Sequence, residues 1–426
     1  MVMRPAPLLC LLAPAAVMVA CLPSAETDAD DAGDTTVDSD SETVSESETE
    51  SVVDTATDTG GDTETETITD TGIDTDVDTS CDGVVQIPDD DLAASIALAL
   101  EKPVGSQLTG AELATLDNFF VSFWMDGDVE DDRKVSSIVG VQCMSALESF
   151  GLEVGALTDL SPLSHIQNLN TVILRWSLVT DFSPLATVSS LRVLNAGGSK
   201  LTDTDSLSGL TGLVELNLNG EFIEDISGLS SLTNLEVLQI AGNLYADISP
   251  LSGMAQLREL DLHRTEVTDL TPLAGLTNLE AIDISSTQIS NLQPLSSATK
   301  MKSLITNNSV VASLAPLSTM VDLEYLDASA CIIDDISGLA GKSKLREAYL
   351  QMNDIVDISP LADAVGLEII HLGGNPIVDI SALRDLPNLD DVWLDGIALD
   401  CTAQAANLQA LFDRGVTVRC ECPGCL

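Results

Sequence analysis

The sequence predicts an α/β solenoid, a stack of short repeats in which each unit adds one strand to a single parallel sheet. Two observations support this fold. A 22-residue period runs through twelve starts from Leu147 to Leu389 without insertion or deletion, and every start is Leu except Met301. Apolar residues then recur at the same offsets within most units. Self-similarity at a fixed period is the sequence signature of stacked repeats.

Each repeat opens with a short strand. The pattern L-x-x-L-x-L, as in Leu257, Leu260 and Leu262, alternates with a period of two, which is typical of a strand with one buried face. The ninth position holds a small or polar residue, such as Asn353 or Cys331. We expect this side chain to bond backbone groups where the chain turns away from the strand. Cys331 is therefore predicted to be buried and unpaired.

The other half of each repeat is predicted to be a short helical turn. Pairs such as Ser161-Pro162 and Thr271-Pro272 recur there, and Ser or Thr as N-cap with Pro at the first helical position favours helix initiation. The repeat leaves room for about one turn, which we expect to be 3₁₀. The preceding Asp, for example Asp269, is predicted to bond the amides of the turn.

These residues resemble the leucine-rich repeats of the internalin type, in which L-x-x-L-x-L-x-x-N and D-I-S/T-P-L stand in register. The resemblance implies a leucine-rich-repeat horseshoe or arc over residues 147–398, with a concave parallel β-sheet and a convex side of short 3₁₀ turns. It implies a binding scaffold without naming the partner. The chain lacks the wall-anchoring signal and immunoglobulin-like domain of the internalins, so a role in host-cell invasion is not expected.

The start of the chain has the features of an export signal. Residues 1–20 contain Arg4 and an apolar run too short to span a bilayer, which predicts a signal peptide. The following Met18-Val19-Ala20-Cys21 resembles a bacterial lipobox, which implies lipidation of Cys21 and anchoring to a membrane. The alternative is an ordinary secretory signal in which Cys21 has no role. Leu22 after the Cys resembles outer-membrane sorting, which implies a surface lipoprotein of a Gram-negative bacterium.

Residues 21–80 are predicted to form a disordered acidic linker. The segment consists mainly of Ser, Thr, Asp and Glu, cannot bury enough apolar surface to fold, and is extended by its own charge. Asp74, Asp76 and Asp78 alternate as in calcium loops, but the Gly and Glu of an EF-hand are missing. Glycosylation of its Ser and Thr residues is left open.

Residues 81–146 are predicted to cap the start of the solenoid, because stacked repeats expose an apolar end. A helix is expected over Asp89–Glu101, and a capping box at Thr109 opens a second helix to about Val121. This segment resembles the helical cap that precedes internalin-like repeats. A degenerate repeat follows, with the apolar residues Val135, Ile138, Val141 and Met144.

Residues 399–426 are predicted to cap the far end with an amphipathic helix over Ala403–Arg414. Disulfides are expected at both ends, because exported proteins use cysteines in this way. The predicted pairs are Cys401–Cys420, Cys422–Cys425 and Cys81–Cys143. A zinc site formed by the four C-terminal cysteines is the alternative.

Composition argues against several functions. The chain has 17 basic and 68 acidic residues and a formal net charge of −51, which disfavours nucleic acids and anionic membrane surfaces as partners. Three His residues and no recognisable catalytic motif predict a protein without enzymatic activity, cofactor or metal.

The predicted binding surface is the concave face of the sheet. Two of the three Trp, two of the three Tyr and two of the three His fall on it, and aromatic residues, Met and Arg are typical of binding hot spots. The alternative is that aromatic residues simply suit strands. The candidate ligand-binding residues are Arg175, Trp176, His263, Arg264, Tyr325, Tyr349, Met352, His371 and Trp393.

The sequence therefore predicts a non-enzymatic, extracytoplasmic lipoprotein that displays a binding face on a stalk, with a protein as the expected partner. Two alternatives stay open. The solenoid could be a structural or envelope-organising module, or it could bind carbohydrate through the same aromatic residues.

Overall fold

The computed structural model describes residues 80–122, 135–153, 155–220 and 222–426. The predicted signal peptide, Cys21 and the acidic linker up to residue 79 lie outside these ranges. Within the ranges, no helix is long and apolar enough to cross a membrane.

The described residues form one sheet of fourteen parallel strands, which follow one another in chain order. From the second to the thirteenth strand, paired residues are 22 positions apart, as for Tyr325 beside Glu347. The strands are β1 Asn118–Ser122, β2 Ser149–Glu153, β3 Thr171–Ile173, β4 Val193–Asn195, β5 Glu215–Asn217, β6 Val237–Gln239, β7 Glu259–Asp261, β8 Ala281–Asp283, β9 Ser303–Ile305, β10 Tyr325–Asp327, β11 Glu347–Tyr349, β12 Ile369–His371, β13 Asp391–Trp393 and β14 Thr417–Arg419.

Alternation of side chains along each strand separates the core from the concave face. In β11, Ala348 is fully buried while Glu347 and Tyr349 on either side are half-buried. The leucines and isoleucines at the buried positions join into one continuous hydrophobic core along the solenoid. This arrangement is the leucine-rich-repeat arc that the sequence predicts.

The convex side consists of short 3₁₀ turns, as expected. Their hydrogen bonding differs from the prediction, because Ser or Thr is itself the first helical residue and its hydroxyl does not cap the turn. Asp357 shows the arrangement: its carboxylate accepts hydrogen bonds from the Ser359 amide at 2.8 Å and the Ser359 hydroxyl at 2.9 Å. The turns are Val141–Cys143, Ser161–His165, Ser183–Thr187, Asp205–Leu207, Ser227–Ser231, Ser249–Gly253, Thr271–Leu273, Gln293–Ser297, Ala315–Thr319, Ser337–Leu339, Ser359–Asp363 and Ser381–Leu383.

The ninth position of the repeat bonds backbone groups, as predicted. Asn353 is buried, donates its side-chain amide to the carbonyls of Ala328 (2.8 Å) and Leu350 (3.1 Å), and accepts from the Ile333 amide (2.9 Å). It therefore links neighbouring repeats. Cys331 occupies the same position and is a buried free thiol, which confirms the prediction.

A charged residue stands at one core position that is apolar in the other repeats. Lys342 is only 1% exposed, and its ammonium group donates hydrogen bonds to the carbonyls of Leu317 (2.7 Å) and Ser318 (3.2 Å). Burial lowers the pKa of this lysine.

The N-terminal cap contains helix α1, Asp90–Ala99, and a single turn α2, Gly110–Leu113. The capping box at Thr109 is present, but the prediction that its helix continues to about Val121 is wrong. The chain instead enters β1, where Phe119 and Val121 alternate into the core and the backbone pairs with β2. The hydrogen bonds between β1 and β2 satisfy the backbone of β2 at the edge of the sheet, and this stabilisation outweighs the helical preference of the segment.

The caps contain three disulfides. Cys81–Cys143 agrees with the prediction. The predicted pairs Cys401–Cys420 and Cys422–Cys425 are wrong, because the observed bonds are Cys401–Cys422 and Cys420–Cys425.

The fold of the tail explains this exchange of partners. Helix α3, Ala405–Asp413, leads into β14, and the last residues then run back beside that strand, with the Leu426 amide bonded to the Val418 carbonyl at 3.0 Å. This return places Cys425 next to Cys420. It leaves Cys422 buried and facing Cys401, and since all four cysteines are in disulfides, the alternative of a zinc site does not hold.

Candidate binding face

The concave face contains an aromatic row near its C-terminal end. Tyr349, His371 and Trp393 occupy the same position in β11, β12 and β13, and strand pairing places Arg419 of β14 next in line. Tyr325 of β10 lies diagonally across from Tyr349. We call these five residues the aromatic row.

Neighbours in the aromatic row are in direct contact. Ring centroids are 5.7 Å apart for Tyr325 and Tyr349, 4.7 Å for Tyr349 and His371, which meet edge to face, and 4.2 Å for His371 and Trp393, which stack. The guanidinium carbon of Arg419 lies 4.0 Å from the centre of the Trp393 ring. Such contacts stabilise the packed side chains through dispersion and through the attraction between the cation and the π-face.

Burial and nearby charge shift the ionisation of the aromatic row. Burial lowers the pKa of His371, against the opposing effect of Asp391. Burial, together with the neighbouring carboxylates Asp327 and Glu347, raises the pKa of Tyr325 and Tyr349 well above the usual range. The row is therefore neutral near pH 7 apart from Arg419.

Polar atoms without partners surround the aromatic row. Among the described residues, five buried side-chain N or O atoms have no hydrogen-bond partner, and four of them are Gln351 Oε1, Asp391 Oδ1, Trp393 Nε1 and Arg419 Nε. Two are acceptors and two are donors. Unsatisfied buried groups are rare in folded proteins and call for an explanation.

A shallow depression adjoins the row, with a volume of about 420 Å³. Its walls are largely apolar and include Met352, His371 and Trp393, with Asp395 among the lining residues. Gly374 and Gly396 contribute no side chains to it. Of the predicted residues, Met352, His371 and Trp393 line the depression, and Tyr349 and Tyr325 continue from His371 along the row.

The eighth residue of each repeat, where the chain leaves the strand, is in the left-handed conformation from residue 176 to residue 396. Gly occupies this position in five repeats, but Trp176, Arg264 and Met352 adopt it with φ of 54°, 54° and 60°. This conformation costs a non-glycine residue about 1–2 kcal/mol. Trp176 and Met352 are also 40% and 66% exposed, so burial does not offset this cost.

Arg175 and Trp176 form a separate feature at the start of the sheet. The guanidinium carbon of Arg175 lies 4.3 Å from the centre of the Trp176 ring, and Arg175 forms an ion pair with Glu153 at 3.4 Å. The structure therefore separates this pair, which follows β3, from the aromatic row on β10 to β14.

In the middle of the sheet, His263 lies beside two carboxylates, those of Asp261 and Asp283. The His263 Nδ1 lies 2.7 Å from Asp261 Oδ1, and this hydrogen bond raises the pKa of His263. Burial, together with the neighbouring Asp261, raises the pKa of Asp283 to about 6. Arg264 follows His263 and is exposed.

Comparison with known proteins agrees with this architecture. The model for leucine-rich repeats in two copies matches residues 189–231 and 255–297. No curated protein matches the sequence. Internalin InlF of Listeria monocytogenes is 28% identical, with a TM-score of 0.69 over 79% of this chain and 95% of that one.

Two further solved structures share the fold at lower identity. A leucine-rich-repeat protein of Leptospira interrogans is 16% identical, with a TM-score of 0.61 over 77% of this chain and 87% of that one. The plant peptide hormone receptor RGFR1, solved in complex with RGF2, is 17% identical, with a TM-score of 0.51 over 66% of this chain and 52% of that one. The chain therefore carries leucine-rich repeats, folds as a leucine-rich-repeat arc and is similar to the internalins.

Proposed function

We propose that this chain is an exported, lipid-anchored protein that binds a protein partner through the aromatic row and the adjoining depression. Leucine-rich-repeat folds of the internalin and receptor types are typically non-enzymatic scaffolds for protein interaction. The row lies across five neighbouring strands and spans roughly 20 Å, which suits the centre of a protein interface.

The observation that carries this proposal is the set of unpartnered polar atoms beside the row. A buried donor or acceptor without a partner costs about 1–3 kcal/mol. These atoms are buried, so a small rotation of the side chains of Gln351, Asp391, Trp393 and Arg419 would have to bring them to a partner, whose complementary groups would then recover this free energy on binding. Trp, Tyr and Arg, which the row contains, are typical of interface hot spots.

The packing of the rings favours a protein over a carbohydrate. Carbohydrate binding through aromatic residues needs an exposed ring face on which a sugar can stack. In the row, His371 packs between Tyr349 and Trp393, and Arg419 covers Trp393. The rings therefore offer their edges, together with hydrogen-bonding groups, and protein side chains can use both.

A capture experiment tests the binding face. The tagged full chain is used to isolate partners from an envelope extract, beside the variant Tyr349→Ala/His371→Ala/Trp393→Ala. We expect a protein retained by the wild type to be lost by this variant. The matched control is Val356→Ala/Val378→Ala, which changes two exposed residues of the same repeats outside the concave strands and is expected to retain the partner.

Thermal unfolding of both variants checks that the fold is intact. Equal recovery of the partner by the folded triple variant would refute the site. Recovery of only the protein itself from all three samples would favour the structural, envelope-organising function.

The proposed anchor rests on Cys21 and is tested separately. We expect Cys21→Ser to abolish incorporation of labelled fatty acid and to release the protein from the membrane fraction. A Ser24→Ala control should stay lipidated. Unchanged fractionation of Cys21→Ser would contradict anchoring through this residue, and separation of inner from outer membranes tests the proposed outer-membrane location.

A further inference from the structure

We propose that Asp261, His263 and Asp283 form a binding site for a divalent transition-metal ion in the middle of the concave sheet. One ligand atom from each of the three side chains lies within 4.8 Å of the others. An ion with bonds of about 2.1 Å spans about 4.2 Å between opposite ligands, so small side-chain adjustments bring all three into contact with it.

The backbone holds these side chains in place. Asp261 and Asp283 are paired residues of β7 and β8, and His263 follows Asp261 by two positions. Asp283 Oδ1 accepts a hydrogen bond from the Ser285 amide at 2.8 Å, and Asp261 Oδ1 accepts one from the His263 amide at 3.2 Å. Since β7 and β8 each pair with a strand on both sides, the backbone already holds the ligands close together, and no loop has to become ordered when the ion binds.

The donor set selects the class of ion. One imidazole nitrogen and two carboxylate oxygens suit Zn²⁺, Co²⁺ or Mn²⁺. A hydrogen bond of 2.7 Å joins His263 Nδ1 and Asp261 Oδ1. The ion would displace the proton from His263 Nδ1, which passes to solvent from the protonated ring or to Nε2 in the neutral ring, and its two charges would offset the two carboxylates. Three protein ligands leave one or more positions for water.

A neighbouring polar group gives independent support. Ser303 of β9 lies diagonally across from Asp283 in the sheet, is fully buried, and its hydroxyl has no hydrogen-bond partner among the described residues. Unpaired buried polar groups mark places where water or an ion completes the structure. The ligand cluster and the unpaired hydroxyl thus fall on the same patch.

Calorimetric titration of the full chain with ZnCl₂, after removal of metals with a chelator, tests the site. We expect one saturable site in the wild type and in the control His165→Ala, whose His lies in a convex-side turn. His263→Ala and Asp283→Asn should each weaken that site at least tenfold. Thermal unfolding confirms that the variants are folded.

Titration with Co²⁺ provides a second readout, because coordination by the protein produces visible absorption bands. We expect these bands in the wild type and their loss in His263→Ala. The proposal fails if all four proteins give the same result, with only weak and non-saturable binding, since this is what loose association of ions with the many carboxylates would produce. It fails equally if His263→Ala retains the tight site.

Discussion

At the residue scale, the eighth position of the repeat must adopt a left-handed conformation, and some of the side chains found there are exposed near the concave face. Gly is the residue that this conformation favours, and Gly198, Gly220 and Gly242 occupy it in consecutive repeats. Trp176 and Met352 occupy it elsewhere, and both remain exposed near the concave face. Strain retained at exposed aromatic or apolar residues favours a role in binding.

Ala330 tests the cost of this conformation without a functional side chain. Its φ is 51°, so we expect Ala330→Gly to raise the free energy of unfolding by about 0.5–1 kcal/mol, after the greater flexibility of Gly in the unfolded chain is deducted. Chemical denaturation measures the change. Ala348→Gly, at a buried strand position, should lower stability, and a loss in both variants would contradict this account.

His371 should make the stability of the protein depend on pH. Its pKa is lowered in the fold, so the unfolded chain binds the proton more readily. The stability contributed by neutral His371 is present above about pH 6.5 and is lost as the pH falls from there through the folded pKa. We expect His371→Phe, which retains a ring, to lose less stability than the wild type in thermal unfolding from pH 7.5 to 5. Identical slopes would contradict the assignment.

At the element scale, each repeat depends on bonds to its neighbours more than on bonds within itself. Asn353 joins carbonyls and amides of two adjacent repeats, and its strand β11 pairs with both β10 and β12. Lys342 uses its ammonium group for the same purpose, at a position where most repeats have an apolar residue. Burying a charge in this way is costly, and an apolar side chain of similar length can replace it.

We expect Lys342→Met to raise the free energy of unfolding by about 1 kcal/mol. Met fills the same space, and the Leu317 carbonyl retains its bond from the Met320 amide. Lys342→Ala should instead destabilise the protein, because it leaves a cavity. Denaturation of the two variants distinguishes them, and a loss of stability in Lys342→Met would show that the ammonium bonds outweigh the cost of burial.

Some of these elements could be predicted from the sequence, and others could not. The strands, turns and core followed from apolar residues that recur at the same positions of each repeat. Tyr349, His371 and Trp393 were predicted to lie together because they share one repeat position. Arg419 was missed, since the period decays after Trp393 and nothing local marks β14 as another strand. Asp261 and Asp283 were missed because carboxylates are too common in this chain to be informative alone. The left-handed position was missed although recurring Gly marked it.

At the scale of the whole molecule, the caps close the two ends of the core. Cys81–Cys143 spans a sequence separation of 62 residues and joins the N-terminal cap to the first turn of the solenoid. Cys401–Cys422 and Cys420–Cys425 fix the strand that completes the sheet. Stacked repeats need such ends, because each otherwise exposes an apolar face.

Removing the N-terminal disulfide should destabilise this end of the solenoid. For a loop of this length we expect Cys81→Ala/Cys143→Ala to lose roughly 4 kcal/mol. Thermal unfolding measures the loss, and protease cleavage near α1 should accelerate. Cys331→Ser, which changes the buried free thiol, is the control and should have a smaller effect. An unchanged melting temperature in the double variant would show that packing alone holds the cap.

The position of Arg419, next to Cys420, has a consequence for how the protein matures. The last member of the aromatic row belongs to a tail that two disulfides hold in place. In a reducing cytoplasm these bonds do not persist, so the face against Trp393 stays incomplete. Oxidation after export would finish it. For the exported protein that we propose, the full binding surface would therefore form only outside the cytoplasm, and a newly made chain would not bind ligands before export.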